Sequence, residues 1–423
     1  MERSMPRIVV TTLGSLGDLH PMFPVADMLR HRGHSVLFVV PAKFQARVSN
    51  QGFECRTVQL MSDPPDKVRG RGAAASKARV ERHYTPFLKG VIEVLDDACN
   101  GADVILSTPH QIASAVVGTN RRIPWVTLTV FPGLIPSAYS VPQPHWLPAL
   151  PTPPGRLLNR LTWSVYHYGL RYLGQDAIAT AVASFGIPEN KLFAPGGVSP
   201  HLCLLMSSPV YSPRQPDWPP QVKVTGFTQW DEPHGWSEPG ELTQFLSDGP
   251  APVVVTTSTA EERDTVGYVR VALQAIEATG RRGIILTGAS TDQILGTQTH
   301  LILESGVAAW PYIPLSRLLP RASMVVHHSG IGTAITTIRH GLAAVAIPAS
   351  FDQWYNAARV RALGVGRTIE FNDLTVKRLA KEIDRVANDP RYRDRARELA
   401  AAMVGEDGVG RACDEIESLV GRP

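Results

Sequence analysis

The 423-residue sequence predicts an α/β protein with two domains. Its length is enough for two domains of ordinary size, and its 43% hydrophobic content argues against a globally disordered chain. In each half of the chain, short apolar runs alternate with helical patterns, and turns of small residues follow some of the apolar runs. This alternation is typical of parallel sheets with helices packed on their faces.

Charge, cysteine spacing and the apolar runs of the sequence limit which partners and location are expected. The net charge is only +4, so no nucleic-acid partner is expected. The basic segment 67–82 is interpreted as a solvated face, with membrane-surface contact as the less favoured alternative. Four scattered cysteines form neither a CxxC pair nor a metal spacing. Because the sequence also has no signal segment and no long apolar run, a cytoplasmic location is expected.

The first domain opens with a βαβ pattern. Residues 7–12 predict a strand, 21–32 a helix and 35–40 a second strand, with Pro21 and Gly33 at the two helix ends. A dinucleotide site would need an acidic residue at the end of the second strand, which instead reads Val-Val-Pro. A nicotinamide cofactor is therefore not expected. Further strands are predicted at 102–106 and 125–130.

A proline-rich segment follows these strands. Residues 131–154 contain eight prolines, together with Phe131 and Trp146, and predict a long structured loop, which is often a functional element. The helical pattern that comes next carries several aromatic residues, including Trp163 and Tyr168. These aromatic side chains either fill the core or line a pocket, and the pattern does not decide between the two.

The second domain is predicted over 251–423, after a first domain at 1–226 and a linker at 227–250. It begins with a strand at 253–257, and its apolar run 324–326 ends in the turn HHSGIGT, which precedes a helix. Backbone N–H groups and the helix dipole face outward at such a turn, which suits a phosphate group. Gly330 and Gly332 would allow close approach and Thr333 would add a hydroxyl. The bare pattern fits a packing turn equally well.

The spacing around this turn resembles the donor-binding box of nucleotide-sugar-dependent glycosyltransferases related to plant secondary-product enzymes. Trp310 opens the box, His328 follows 18 positions later, and Asp352 and Gln353 close it. The HHSGIGT turn and the later DQxxNAxRVxxLGVG segment resemble a bacterial branch that includes rhamnolipid rhamnosyltransferases and sterol or macrolide glucosyltransferases. The loop at 13–20 resembles the GSxGDxxP signature of the same branch.

The resemblance implies a GT-B fold, in which two Rossmann-like domains face each other across a cleft. It also implies an inverting transfer of a hexose from a UDP- or dTDP-sugar to a hydroxyl of a lipophilic small molecule. The sugar nucleotide would be a co-substrate, and no cofactor is expected. No Asp-x-Asp occurs in the sequence, so no metal is expected either.

The resemblance also assigns roles to residues. Trp310 would stack on the base, His328, Gly332 and Thr333 would hold the diphosphate, and Asp352 and Gln353 would bond the sugar. The predicted donor-binding residues are Ser15, Thr259, Trp310, His328, Gly330, Gly332, Thr333, Asp352 and Gln353. Phe131 and Trp146 are predicted to contact the acceptor, and the last helix is expected to cross back to the first domain. Thr336 stands where relatives carry a ribose-binding Glu, which predicts weak discrimination between uridine and thymidine donors.

Asp18 falls where plant relatives carry their catalytic histidine, so the resemblance makes it the general base. Two alternatives stay open: His20 is the base with Asp18 as its orienter, or Asp18 only caps a helix. The aspartate that supports the base in plant relatives is missing or replaced, because that place reads Ser-Thr-Pro-His at 107–110. Two other functions also remain: a sugar-nucleotide epimerase of the same fold, and a non-catalytic sugar-nucleotide-binding protein.

Overall fold

A computed structural model describes residues 6–59, 73–109, 111–142, 149–150, 152–183, 198–231, 235–257, 264–288, 291–296, 298, 300–350 and 352–420. The chain forms two compact units. The first comprises Met1–Thr228 with Asp407–Pro423, and the second comprises Gln229–Glu406. Among the described residues, no helix combines the length and apolar character needed to cross a membrane.

The first unit is built on a seven-stranded parallel sheet in the order β3-β2-β1-β4-β5-β6-β7. The inner strands are largely buried on both faces, as expected where helices cover a parallel sheet. The order reverses between β1 and β4, and ligands of such sheets bind outside the carboxyl ends of the strands at the reversal. The strands are β1 Arg7–Thr11, β2 Ser35–Pro41, β3 Glu54–Val58, β4 Val104–Ser107, β5 Trp125–Thr129, β6 Leu202–Leu205 and β7 Val222–Val224. The helices are α1 Leu16–Leu19, α2 Met22–His31, α3 Gln45–Ser49, α4 Ala73–Ala98, α5 Ile112–Arg121 and α6 Pro153–Val182.

The second unit has a seven-stranded sheet in the order β10-β11-β9-β8-β12-β13-β14. All described pairs are parallel except β10 with β11, and the order reverses between β8 and β12. Its strands are β8 Val253–Thr256, β9 Gly283–Leu286, β10 Leu301–Ile302, β11 Val307–Trp310, β12 Met324–His327, β13 Ala344–Ala346 and β14 Gly366–Thr368. Its helices are α7 Gly240–Ser247, α8 Thr265–Ala278, α9 Thr291–Ile294, α10 Leu315–Leu318, α11 Ile331–Arg339, α12 Gln353–Ala362, α13 Val376–Asn388 and α14 Pro390–Ala402. The two parallel-sheet units confirm the predicted α/β fold class.

The last helix, α15 (Gly408–Val420), belongs to the first unit and packs on α2. Buried Glu417 accepts hydrogen bonds from Arg32 (2.9 Å) and His34 (3.0 Å), which flank the end of α2. Gly226 and Gly408 have their backbones in close contact, since a Cβ on Gly408 would lie 2.5 Å from the carbonyl oxygen of Gly226. The C-terminal helix is therefore an integral part of the first unit.

The second unit begins at Gln229, and α7 lies within the segment 227–250 that is predicted to be a linker. Leu242 and Phe245 on α7 are buried in a core cluster of this unit. Three of the four cysteines, Cys99, Cys203 and Cys413, are buried, and all four are free thiols. Among the described residues, no group of three or more His, Cys, Asp or Glu side chains is arranged to hold a metal ion.

Candidate active site

The turn after β12 is the centre of the candidate donor site. β12 ends at His327, which lies in register with Thr256 at the end of β8, at the strand-order reversal of the second sheet. Helix α11 then begins at Ile331, with Gly330 as its N-cap and no side-chain capping bond. The first N–H groups of the helix are therefore left without a capping side chain. Gly332 is exposed, and a Cβ added there would meet no atom of the described part of the chain within 4 Å. This geometry suits an anion such as a phosphate.

Gly330 makes room for His328. A Cβ on Gly330 would lie 2.5 Å from Nε2 of the His328 ring, so a larger residue would displace the imidazole. Ser329, between them, has φ of 68°, a left-handed conformation that is unusual for a residue with a side chain. Its N–H donates to Nδ1 of His327 over 3.0 Å. The turn is thus held in a specific and locally strained conformation.

Both histidines of the turn are neutral. Burial, together with the neighbouring His328, lowers the pKa of His327 to about 3, and burial lowers the pKa of His328 to about 4. Since Nδ1 of His327 accepts a hydrogen bond, the ring proton is on Nε2. Among the described residues, that Nε2 atom is buried without a hydrogen-bond partner, as are Nδ1 of His328, Oγ of Ser329 and Oγ1 of Thr256. A cluster of unpartnered polar atoms at the ends of two adjacent strands fits a site that a polar ligand or water completes.

The Trp310 side chain is buried and packs against two other rings. Trp310 ends β11, is 3% exposed, and contacts Phe245 edge-on and His300 face-on, with ring centroids 5.7 Å apart in each pair. A nucleotide base would reach the Trp310 ring only after His300 moved away. Tyr312, two residues later, is 46% exposed, and its hydroxyl donates to the backbone carbonyl of Asp231. It presents an aromatic surface to solvent.

The segment after β13 contains Asp352 and Gln353. The Oε1 atom of buried Gln353 accepts hydrogen bonds from the N–H groups of Ala349 (2.8 Å) and Ser350 (3.2 Å). Its carbonyl oxygen therefore shapes its own loop, and only its amide hydrogens remain to bind a sugar. Asp352 is half-buried, and its Oδ2 accepts a hydrogen bond from Nδ2 of Asn356 over 2.8 Å.

Two threonines of α11 differ in exposure. Thr333, in the first turn, is half-buried, so its hydroxyl lies at the same end of the helix as the uncapped N–H groups. Thr336 is 4% exposed. A ligand outside the unit therefore has almost no access to the Thr336 side chain.

Asp18 lies at the carboxyl end of β1, on the short helix α1. One oxygen, Oδ2, accepts hydrogen bonds from the Ser15 N–H (2.8 Å) and from the Ser15 hydroxyl (3.1 Å), while the same hydroxyl accepts from Gly17 N–H (3.2 Å). Ser15 is therefore the N-cap, and Asp18 is the third helical residue of a capping box. The alternative in which Asp18 is itself the N-cap is wrong, although Asp18 does stabilise the helix start.

The environment of Asp18 leaves it little freedom. A Cβ on Gly14 would lie 2.1 Å from Asp18 Oδ2, so the glycine provides the space that the carboxylate occupies. Burial raises the pKa of Asp18, and the two hydrogen bonds from Ser15 oppose that rise. Both polar hydrogens of Ser15 are directed to Asp18, which leaves Ser15 a positioning role here.

His20 is hydrogen-bonded to the guanidinium group of Arg47. Its Nε2 lies 3.1 Å from Nη1 of Arg47, and a guanidinium has no acceptor, so His20 Nε2 is the acceptor of this bond. Burial and the charge of Arg47 lower the pKa of His20 to about 4. The basic lone pair of His20 is therefore occupied in the arrangement described.

A buried polar network lies between the ends of β1 and β4. Thr12 and Thr108 have their hydroxyl oxygens 3.4 Å apart, and Nε2 of Gln111 donates to Thr108 Oγ1 over 3.1 Å. The threonine and glutamine thus occupy the region where relatives were expected to carry a supporting aspartate. His110, the other candidate there, lies outside the described residues.

The chain is similar to known proteins in both sequence and fold. Residues 295–415 match the family described as erythromycin biosynthesis protein CIII-like, C-terminal domain. The chain is 29% identical to the O-mycaminosyltylonolide 6-deoxyallosyltransferase of Streptomyces fradiae, over 97% of both chains. It is 26% identical to a sterol 3-beta-glucosyltransferase of Arabidopsis thaliana, over 96% of this chain and 64% of that protein. In fold it is similar to the calicheamicin glycosyltransferase CalG4, with a TM-score of 0.73 and 17% identity over 99% of both chains.

The chain is a glycosyltransferase with the GT-B fold. The predicted GT-B fold, the resemblance and the enzyme class are confirmed by these similarities. The chain spans only about a third of a sterol 3-beta-glucosyltransferase of Pichia angusta (33%). The similar VinC structure, solved in complex with DTDP, has a TM-score of 0.68 and 18% identity over 99% of this chain and all of that one.

The structure describes one of the two residues predicted to contact the acceptor. Phe131 is 8% exposed and follows β5, while Trp146 lies outside the described residues, as does Thr259 of the donor set. The aromatic side chains of α6 divide between two environments: Trp163 is buried and donates from Nε1 to the Ser140 carbonyl (2.9 Å), whereas Tyr168 is 72% exposed. The core interpretation thus holds for Trp163, and the pocket interpretation of this helix stays a prediction.

Three residues that contact the site were not singled out from the sequence. Tyr312, Arg47 and Asn356 acquire their importance through contacts with residues distant in the chain. Asn356 also belongs to the DQxxNAxRVxxLGVG segment. The spacing of Asn356 four positions after Asp352 was the available signal, because residues at that spacing meet on a helix. Nothing in the sequence pairs Arg47 with His20.

Proposed function

We propose that this glycosyltransferase transfers a hexose from a UDP- or dTDP-sugar to a hydroxyl of a lipophilic small molecule, with inversion at the anomeric carbon. The single observation that carries the proposal is the uncapped start of α11 beside four buried, unpartnered polar atoms. Relatives named for sterols and for a tylonolide acceptor support a lipophilic acceptor, and the related VinC structure with DTDP supports a nucleoside-diphosphate donor.

The diphosphate would bind at the turn of the second unit. The N–H groups of Gly332 and Thr333 and the Thr333 hydroxyl would donate to its oxygens, and the neutral His328 imidazole would add one more donor. Negative charge accumulates on the diphosphate as the glycosidic bond breaks. Donors already fixed toward that charge stabilise the transition state without rearranging. Sugar hydroxyls would bond to the Asp352 carboxylate and to the amide hydrogens of Gln353.

The base would stack on Tyr312 in preference to the predicted Trp310. Tyr312 exposes 46% of its surface, whereas Trp310 exposes 3% and has His300 stacked on its ring. A stacked base needs an accessible aromatic face. The buried Thr336 would leave the ribose edge without a hydroxyl partner, so we expect UDP and dTDP forms of the donor to bind with similar affinity.

Asp18 would act as the general base. As the acceptor oxygen attacks C1 of the sugar, its proton would pass to the Asp18 carboxylate, a new C–O bond would form, and the bond from C1 to the diphosphate oxygen would break. The electron pair would leave with the nucleoside diphosphate, and attack opposite the leaving group would invert C1. The raised pKa of Asp18 would make it a stronger base than an ordinary aspartate. Ser15 would hold the carboxylate in place.

The test is incubation of the protein with a panel of UDP- and dTDP-sugars, with and without sterol and macrolide acceptors. Release of nucleoside diphosphate together with a glycosylated acceptor is expected, and it should be lost in Asp18→Asn. Conversion of the sugar nucleotide to its epimer without an acceptor would instead favour the epimerase alternative. Tight donor binding with no turnover on any acceptor would favour the non-catalytic alternative.

A further inference from the structure

Asn356 links two ligand-facing segments of the second unit. It lies in the first turn of α12 and is fully buried. Its Nδ2 donates to the Ser329 carbonyl over 2.9 Å and to Asp352 Oδ2 over 2.8 Å. One amide group, which has two hydrogens, thus bonds the turn after β12 and the segment after β13.

The bond to Ser329 acts on a strained residue. Ser329 has φ of 68°, and its own hydroxyl is buried with no hydrogen-bond partner in the described ranges of the chain. Its backbone is held on both sides: the N–H by His327 Nδ1 at 3.0 Å, and the carbonyl by Asn356. A left-handed residue with a side chain persists only where its surroundings impose it. Because Ser329 directly precedes the N-cap Gly330, its conformation sets the direction of the N–H groups that follow.

The bond to Asp352 acts on the carboxylate assigned to the sugar. Asp352 has its Oδ2 fixed by Asn356, and Gln353 beside it fixes the backbone of Ala349 and Ser350. The amide group that supports the turn after β12 therefore also fixes the rotamer of Asp352. Without that amide, the Asp352 carboxylate and the strained turn at Ser329 would each be free to adopt other positions.

We propose that Asn356 is a positioning residue that couples diphosphate binding to sugar recognition, by holding Ser329 in its left-handed conformation and Asp352 in one orientation. The inference rests on the proposed donor site and deepens it. Asn356 does not touch the substrate. It transmits the position of one substrate-binding segment to the other through two hydrogen bonds from one nitrogen.

The test uses Asn356→Ala and Ser329→Gly, singly and combined, with UDP, dTDP and the corresponding glucose conjugates as calorimetric probes. Asn356→Ala should weaken binding of the bare nucleoside diphosphate about tenfold, because the turn relaxes. Glycine adopts the left-handed conformation freely. Ser329→Gly should therefore restore diphosphate affinity in the double variant to within about threefold of Ser329→Gly alone.

The sugar contribution should respond differently. The ratio of sugar-nucleotide to bare-nucleotide affinity should fall in Asn356→Ala and should stay low in the double variant, because Ser329→Gly does nothing for Asp352. Asn388→Ala, an exposed asparagine of α13, is the matched control and should leave all affinities unchanged. Should Asn356→Ala fail to fold, Asn356→Leu keeps a similar branched shape and removes both hydrogen bonds without burying a charge, with the same expected pattern.

The proposal is overturned if a folded Asn356 variant binds all probes normally, or if Ser329→Gly gives no recovery of diphosphate affinity. An equal loss on all probes with no separation between diphosphate and sugar would also overturn it, since that is what simple loss of packing produces. A wild-type chain that binds neither nucleotide would refute the proposed donor site together with this inference. Normal wild-type turnover with unaffected variants would refute only the role of Asn356.

Discussion

Nε2 of His20 accepts a hydrogen bond from the guanidinium of Arg47 over 3.1 Å. Because Arg47 has no acceptor to offer, His20 is neutral with its basic nitrogen occupied, while Asp18 two residues earlier is an acceptor-only carboxylate. Of the two candidate bases in the first unit, His20 thus has its basic nitrogen occupied, whereas Asp18 is a carboxylate that can accept a proton. Mutation of each residue should therefore separate their roles.

Asp18→Asn should lower turnover by roughly 10²–10⁴-fold, the usual contribution of a positioned base. The asparagine oxygen can still accept from Ser15, so the helix start and donor affinity should be retained. His20→Ala should lower turnover far less. Turnover at saturating donor, measured for both variants, decides the matter. Near-normal activity in Asp18→Asn together with abolished activity in His20→Ala would make His20 the base.

Gly14→Ala should reduce turnover nearly as much as Asp18→Asn. Its new Cβ would lie 2.1 Å from Asp18 Oδ2 and would push the carboxylate out of place. Gly17→Ala, on the helix α1 that follows, is the matched control, since of the described residues its Cβ would meet only the Ser15 hydroxyl, at 3.3 Å. Steady-state kinetics with nucleotide binding as a second readout tests this prediction. Equal activity in the two variants would show that the position of Asp18 does not matter.

Trp310→Ala and Tyr312→Ala should have opposite effects. Removing buried Trp310 should destabilise the protein by about 3–5 kcal/mol, as for other large core aromatics. Removing exposed Tyr312 should leave stability nearly unchanged and weaken nucleotide binding by about 1–3 kcal/mol, by analogy with stacked bases elsewhere. Thermal unfolding and calorimetry separate the two effects. Unchanged nucleotide affinity in Tyr312→Ala, with a large loss in a folded Trp310 variant, would restore the assignment made from the sequence.

Stability should decrease as the pH falls from about 6.5 toward 4. The pKa of buried His327 is lowered from 6.5 to about 3, so in this pH range the unfolded chain binds a proton that the folded chain does not. For a histidine that stays neutral in the folded chain, the free energy of unfolding falls by about 2–3 kcal/mol as the pH is lowered by two units. Denaturant unfolding between pH 4.5 and 7 measures this. His327→Asn should flatten the dependence, and His201→Asn, at an exposed histidine, should not.

Much of the architecture could be predicted from the sequence, because strands, helix starts and turn glycines are specified by neighbouring residues. The apolar run before HHSGIGT became β12, and the turn led into α11 as expected. The loop carrying Asp18 also followed β1 as predicted. The predicted roles of these residues remain predictions, since local pattern fixes where a residue stands in an element and says little about what it touches.

The tertiary structure decided what each side chain contacts. The sequence by itself determined that an aromatic residue stands near the donor turn, but only packing of α7 and His300 against the sheet showed that Trp310 is buried and Tyr312 is exposed. Likewise, Arg47 meets His20 and Asn356 meets Ser329 across 27 residues each. Burial and long-range hydrogen bonds depend on elements brought together by folding, and no local periodicity encodes those partners.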